Sequence, residues 1–228
     1  RTVKSHGTVL IPSFAVERTQ EVLFELNDLI GNGKVPRIPV FLDSPLAIRA
    51  TEVYKKYAHF FNTEARGLMS AGDDLFNFPG LTITQSVDES RKINHVPSPK
   101  IIIAGSGMMN GGRILHHAKR VLPDPNSTLL IIAYQAKGTL GRMLLEGAKL
   151  VTIHGERIPV RASVECIHGY SAHADQPHLL DWVDHIARPI QQVFCVHGES
   201  GAPALAQLIN DQLGIMAQVP EYGKLYIL

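Results

Sequence analysis

Cysteine is nearly absent from this sequence of 228 residues. Cys166 and Cys195 are the only two, too few for a disulfide framework, and both lie in apolar, β-like runs. We expect buried, reduced thiols in a cytoplasmic protein. No apolar run approaches the ~20 residues of a membrane span, so no membrane partner is expected. The start lacks signal-peptide architecture. An excess of one charge is missing too: 22 basic against 21 acidic side chains give +1. No global field therefore advertises nucleic acid, although a basic groove on one face stays compatible with that balance. An initiator Met is absent, and the chain is expected to be a piece of something longer. What is present, 45% hydrophobic and 19% charged residues, is the composition of a folded chain. The length suits one large α/β domain or two small ones.

Short buried runs alternate with amphipathic segments. Strands are predicted at 8–11, 39–42, 81–85, 101–104 and 129–134. Helices are predicted at 16–30, after Asp43-Ser44-Pro45, and at 112–121. Residues 67–80, rich in Gly, Asp and Asn, read as a loop. Buried strands separated by helices imply a mostly parallel sheet covered on both faces, an α/β fold. From Lys149 the rhythm changes. Adjacent strands are predicted at 150–154 and 157–167, then a helix near 179–186, a strand at 193–196, a last helix and a closing strand at 224–228.

In an open parallel sheet, ligands sit beyond the carboxyl ends of strands, and three loops qualify. Gly105-Ser106-Gly107 to Arg113 follows a buried strand and opens a helix, where backbone amides suit a phosphate. Both nucleotide fingerprints fail there. Asn110 stands where the dinucleotide pattern needs glycine, and Arg113-Ile114 replaces the Lys-Ser/Thr of a Walker A loop. His116 and His117 follow, and adjacent helical residues cannot share a face. The second loop places Ser171, His173 and Asp175 within five residues, although Asp175 is equally suited to cap the next helix. The third puts His197 directly after a strand. Six of the eleven histidines fall between positions 154 and 197, yet no HxH, HExxH or CxxC pair occurs. One histidine does not make a metal site: zinc takes three or four protein ligands, so if His197 binds metal its fellow ligands are missing from the chain.

Five stretches carry a family resemblance: Ile11-Pro12-Ser13-Phe14-Ala15 through Glu21; Leu42-Asp43-Ser44-Pro45-Leu46-Ala47; Gly105-Ser106-Gly107-Met108 with Gly111 to His117; Ser171-Ala172-His173-Ala174-Asp175; and Val196-His197-Gly198-Glu199. In this order they resemble the β-CASP branch of the metallo-β-lactamase superfamily, whose members include RNA-processing zinc nucleases such as ribonuclease J. The resemblance implies a β-CASP domain over 1–168 with a Rossmann-like sheet. Residues 169–228 would be the C-terminal return segment of a metallo-β-lactamase domain. It implies RNA as partner and zinc as cofactor, two ions per intact active site. His197 would be the last zinc ligand and His173 the proton donor, its acidic partner lying just upstream of this chain; Asp175 stays a catalytic candidate from its place in the same loop. Ser171 would hold a phosphate oxygen, while Gly105, Ser106, Gly107 and Arg113 would meet substrate. The family's HxHxDH signature is absent and would lie in an N-terminal half preceding Arg1, so this piece alone is expected to be inactive.

Three readings compete. A hydrolase fragment of a zinc-dependent ribonuclease leads. An inactive RNA-binding or assembly module of the same family is the alternative, and His173 with His197 argue against it. A free-standing nucleotide-binding domain is weakened by both failed fingerprints. Arg18, Arg113, Lys119, Arg120, Lys137 and Arg142 are candidates for a basic groove. Self-association, a homodimer formed through 169–228, is expected where that segment lacks its sheet neighbours.

Overall fold

A computed structural model describes residues 1–170, 173–187 and 189–226. The elements run β1 (Thr8–Pro12), α1 (Arg18–Gly31), β2 (Val40–Asp43), α2 (Pro45–Lys56), α3 (Thr63–Ser70), β3 (Leu81–Ile83), α4 (Val87–Lys92) and β4 (Lys100–Ala104). There follow α5 (Arg113–Val121), β5 (Thr128–Ile131), α6 (Leu140–Leu145), β6 (Leu150–Ile153), β7 (Glu156–Pro159) and β8 (Ser163–Cys166). The last part holds α7 (Gln176–Asp184), β9 (Val193–Phe194), α8 (Gly201–Leu208), which runs on into a π turn, and β10 (Ala217–Gln218).

Six strands form one sheet in the order β3-β2-β4-β1-β5-β8, every neighbouring pair parallel. This is the mostly parallel α/β architecture that the buried β-branched runs imply. Side chains alternate across the sheet with the period of two that strands impose. On β4, Ile102 and Ala104 join the core beneath α5, α6 and the β6–β7 hairpin. Ile101 and Ile103 join the core beneath α1 and α2. Helices thus cover both faces. Register sets the functional edge: Pro12 on β1 and Asp43 on β2 both pair with Ala104 on β4. Ser13, Ser44 and Gly105 therefore leave the sheet side by side.

The chain divides into two compact units, Arg1–Ser171 and Ala172–Leu228. In the second unit, β9 and β10 form a parallel pair, and Val183, Cys195, Ala206 and Ile209 make a small core. No helix among the described residues is long and apolar enough to cross a membrane.

Several boundaries differ from expectation. The single strand predicted at 157–167 is two: β7 pairs antiparallel with β6, while β8 joins β5 in the main sheet. Between them the amides of Arg161 and Ala162 both donate to Leu122 O, breaking the ladder where alternation alone shows no break. The loop predicted at 67–80 begins after α3, and it is pinned by buried Leu75, Phe76 and Phe78. The short helix α4 has no apolar stripe. Its sequence signal is the capping box of Ser86 and Glu89. Positions 224–226 are not in a strand; β10 pairs with β9 instead, and 227–228 lie outside the described residues. Cys195 is buried, but Cys166 is only half-buried; both thiols are free.

The central strands should dominate stability. Ile103→Ala, at a site with 0% exposure, is expected to cost about 2–5 kcal/mol. Ile83→Ala, 43% exposed on the edge strand, is expected to cost less than about 1 kcal/mol. Urea unfolding of the two variants checks the contrast.

Candidate nucleic-acid interface

One carboxylate organises the carboxyl edge of the sheet. Asp43, at the end of β2, is wholly buried, and each oxygen accepts two hydrogen bonds. Oδ1 accepts from Thr84 Oγ1 and Arg113 Nη1, both at 2.7 Å. Oδ2 accepts from Ser90 Oγ at 2.6 Å and His117 Nε2 at 2.7 Å. A carboxylate only accepts, so Nε2 of His117 carries the proton. Burial pushes the Asp43 carboxyl up. The hydrogen bonds from His117, Ser90, Thr84 and Arg113 together outweigh burial and hold it down at about 2. The remaining Arg113 contacts are internal too, to Thr84 O at 3.2 Å and Gln85 O at 2.8 Å. In the sequence Asp43 stands as a polar residue near a helix start and within one of the five family stretches, with no role of its own. Its signal was a lone carboxylate ending an apolar strand.

Beside this network lies a crevice of about 510 Å3, bounded by Ser13–Ala15, Ser44–Leu46, Arg49, the 105–107 turn and Gly112-Arg113. Its lips are held from behind by buried amides. Gln20 Nε2 donates to Ala15 O, and Thr19 Oγ1 donates to Phe14 O at 2.7 Å. Opposite, Gln135 Nε2 donates to Gly107 O at 3.0 Å. Phe14 lies against Gly107, where an added Cβ would meet the ring at 2.7 Å. Gly112 has φ +80, and a Cβ there would stand 2.5 Å from Gly105 O; only glycine suits that position. The loop is closed by its own hydrogen bonds. Ser106 N donates to Gly111 O, Ile114 N to Gly105 O, and Ser106 Oγ to Gly111 O.

Of the predicted residues, Gly105, Ser106, Gly107 and Arg113 come together at this crevice. Ser106 and Arg113 are more engaged than their sequence suggests. His117 points inward to Asp43, whereas His116 packs against His154, ring centroids 4.8 Å apart. Most of the predicted basic groove is already paired. Arg18 is buried against Glu21 and Glu17, Lys119 pairs with Glu156, and Arg142 pairs with Glu146. The cation that sequence reasoning missed is Arg49, exposed on α2 and lining the crevice.

In the second unit, His173 is exposed just before α7 and His197 is exposed after β9, with φ +64. Asp175 caps α7. It accepts from His178 N at 3.1 Å and meets His178 Nδ1 at 2.6 Å, and these bonds hold its carboxyl below the usual range. Ser171 lies outside the described residues.

Comparison with known proteins decides the family. A Beta-Casp domain model matches residues 19–144, more than half of the chain. The chain belongs to the β-CASP family. Residues 157–220 match a second model, described as a Zn-dependent metallo-hydrolase RNA specificity domain. The chain is 41% identical over 199 residues to Ribonuclease TTHA0252 of Thermus thermophilus, covering 87% of itself and 45% of that protein. It is 36% identical to an RNase J-like protein of Methanocaldococcus jannaschii, covering 97% of itself and 50% of the relative. It is 33% identical to Transcription termination factor FttA of Methanosarcina mazei, covering 88% and 32%. The β-CASP chain thus spans half or less of the length of these relatives.

Among the described residues, no three His, Cys, Asp or Glu side chains form a group that could hold a metal. The described residues do not by themselves fit a zinc centre.

The Asp43 network makes a signed prediction. A depressed carboxyl contributes stability that is complete above its unfolded value of 3.8 and is lost as pH falls towards 2. Asp43→Asn leaves Arg113 without its buried counter-charge and is expected to cost about 3–5 kcal/mol at pH 7. The variant should also lack part of the wild-type loss of stability between pH 4 and 2. Thermal melts across that range check both outcomes.

Proposed function

We propose that this β-CASP chain is the RNA-covering part of a longer zinc-dependent ribonuclease, and that the crevice at the carboxyl ends of β1, β2 and β4 receives the RNA strand. The crevice is the observation that carries the reading. It pairs close backbone approach at Gly105–Gly107 with the exposed Arg49 and an aromatic ring, Phe14. That combination suits a phosphodiester chain with a base laid against the ring. The crevice lining has no histidine, and Asp43 is fully engaged, so its role is binding rather than bond cleavage. The relatives named as ribonucleases support the reaction class.

In the longer protein, His173 would protonate the departing sugar oxygen, with Ser171 at a phosphate oxygen. His197 would supply one ligand to a zinc centre whose remaining ligands lie outside these 228 residues. Asp175 would fix the turn that presents His173, since its carboxylate holds the first turn of α7. The exposed apolar side chains of the second unit, Trp182, Val196 and Met216, would pack against the rest of that protein. A second copy of the chain is the competing occupant, read out as a dimer in sedimentation.

Arg49→Ala in this chain is expected to weaken RNA binding uniformly across sequences and to lower the salt slope by about one unit. Fluorescence anisotropy over a salt series reads both effects, and an unchanged slope would remove Arg49 from the interface. In the longer protein, His173→Ala is expected to slow RNA cleavage by roughly 10²–10⁴-fold with metal content unchanged. Single-turnover cleavage with metal analysis is the check; loss of metal in that variant would assign His173 a different role.

A further inference from the structure

A second recess, of about 350 Å3, opens on the helical face that covers one side of the sheet, among α1, α2, α3 and the 71–80 connection. Nothing in the RNA reading uses it. Four aromatic side chains line it: Phe24, Tyr54, Phe61 and Phe76. Phe76 meets Tyr54 at 6.2 Å and 88°, and Phe61 at 6.0 Å and 85°, both edge to face. Such a lining offers contact to methylene groups and a negative ring face to a cation.

The polar lining is one-sided. Glu17, Glu21 and Glu64 contribute three carboxylates, and no basic residue lines the recess. Arg18, the first residue of α1, bonds to Glu21 and lies 3.8 Å from Glu17, so one cation faces three anions. Lys55, also nearby in sequence, is paired with Asp74 at 2.9 Å. Asn62 uses its Oδ1 to cap α3.

Gln20 adds an independent observation. It lines the recess at 2% exposure, yet its Oε1 has no hydrogen-bond partner. The amide cannot be turned round to satisfy it. Nε2 donates to Ala15 O and to Thr51 Oγ1 at 2.8 Å, and the Thr51 hydroxyl is itself committed as a donor to Ala47 O. A buried acceptor without a donor is uncommon in native proteins. Carboxylates beside aromatic walls, with a buried amide in the lining whose oxygen is unpartnered, call for a ligand that brings positive charge and apolar carbon together.

We propose that this recess binds a small alkylammonium ligand of the aliphatic diamine class. The two uncompensated negative charges match a dication, and the ring walls match its methylene chain. A recess of this volume is of small-molecule size.

The test titrates the 15N-labelled chain with 1,4-diaminobutane while amide resonances are followed. Butane-1,4-diol serves as neutral isostere, magnesium as a dication without carbon, and a lysine-containing peptide as the competing class. Saturable shifts are expected at positions 17–24, 54, 61–65 and 75–76 with the diamine alone. Glu64→Gln, an exposed change in the first turn of α3, should weaken binding by roughly two- to five-fold. Phe61→Leu should weaken it by a similar factor, about two- to five-fold, through loss of the ring face. The proposal is overturned by equal binding to Glu64→Gln, by equal shifts with the diol or magnesium, by shifts spread over unrelated acidic positions, or by a response to the peptide without one to the diamine. Absence of saturable binding at 50-fold molar excess over a protein concentration of about 1 mM overturns it as well, because a paired dication in a walled recess should exceed the affinity of isolated surface charges.

Discussion

The buried carboxylate of Asp43 ties together the end of β2, the segment after β3, the middle of α4 and the first turns of α5. Four side chains converge on its two oxygens, two on each. An ionised carboxylate in an apolar interior is costly unless its acceptor sites are filled; here four donors fill them. Removing any one donor uncovers part of that cost, so the network fixes the relative positions of its elements. Arg113 opens α5 directly after the 105–112 loop, and its anchorage at Asp43 sets where that loop emerges. The crevice inherits its geometry from this one charge.

The crevice walls follow from sheet register and small residues. Pro12, Asp43 and Ala104 stand level across three strands, so the chain leaves the sheet at three adjacent points. Gly107 lets the Phe14 ring lie against the backbone, and Gly112 supplies a conformation in which a side chain would collide with Gly105 O. Behind the lips, Gln20 and Gln135 hold Ala15 and Gly107 by their carbonyls from buried positions. Gln20 also lines the aromatic recess, so one buried amide supports the crevice lip and borders the second cavity.

Much of this was legible in the amino-acid order, for a physical reason. Short, β-branched continuous runs such as Ile101-Ile102-Ile103-Ala104 favour strands covered on both faces, and motifs at their ends mark a functional edge. Individual roles were harder to read. Periodicity continues through Val160–Ala162 because both β7 and β8 alternate, so the break made by Leu122 O leaves no trace in the pattern. Arg113 reads as a phosphate ligand until Asp43, seventy positions away, takes up its guanidinium. Lys119 likewise reads as a free cation because Glu156 becomes its neighbour only on folding, whereas the helix spacings of Arg18 with Glu21 and Arg142 with Glu146 are visible in the sequence itself. Arg49, by contrast, carries no local motif and is noticed only once the register brings α2 to the crevice.

The central claim, that the carboxyl edge of the β-CASP sheet holds RNA, is tested most directly by photo-cross-linking the chain to 4-thiouridine-substituted single-stranded RNA and mapping the adducts by mass spectrometry. Adducts concentrated at Phe14 and within 105–113, and competed by unlabelled RNA, are the predicted result. Competable adducts confined to other surfaces, with none at Phe14 or 105–113, would contradict the claim.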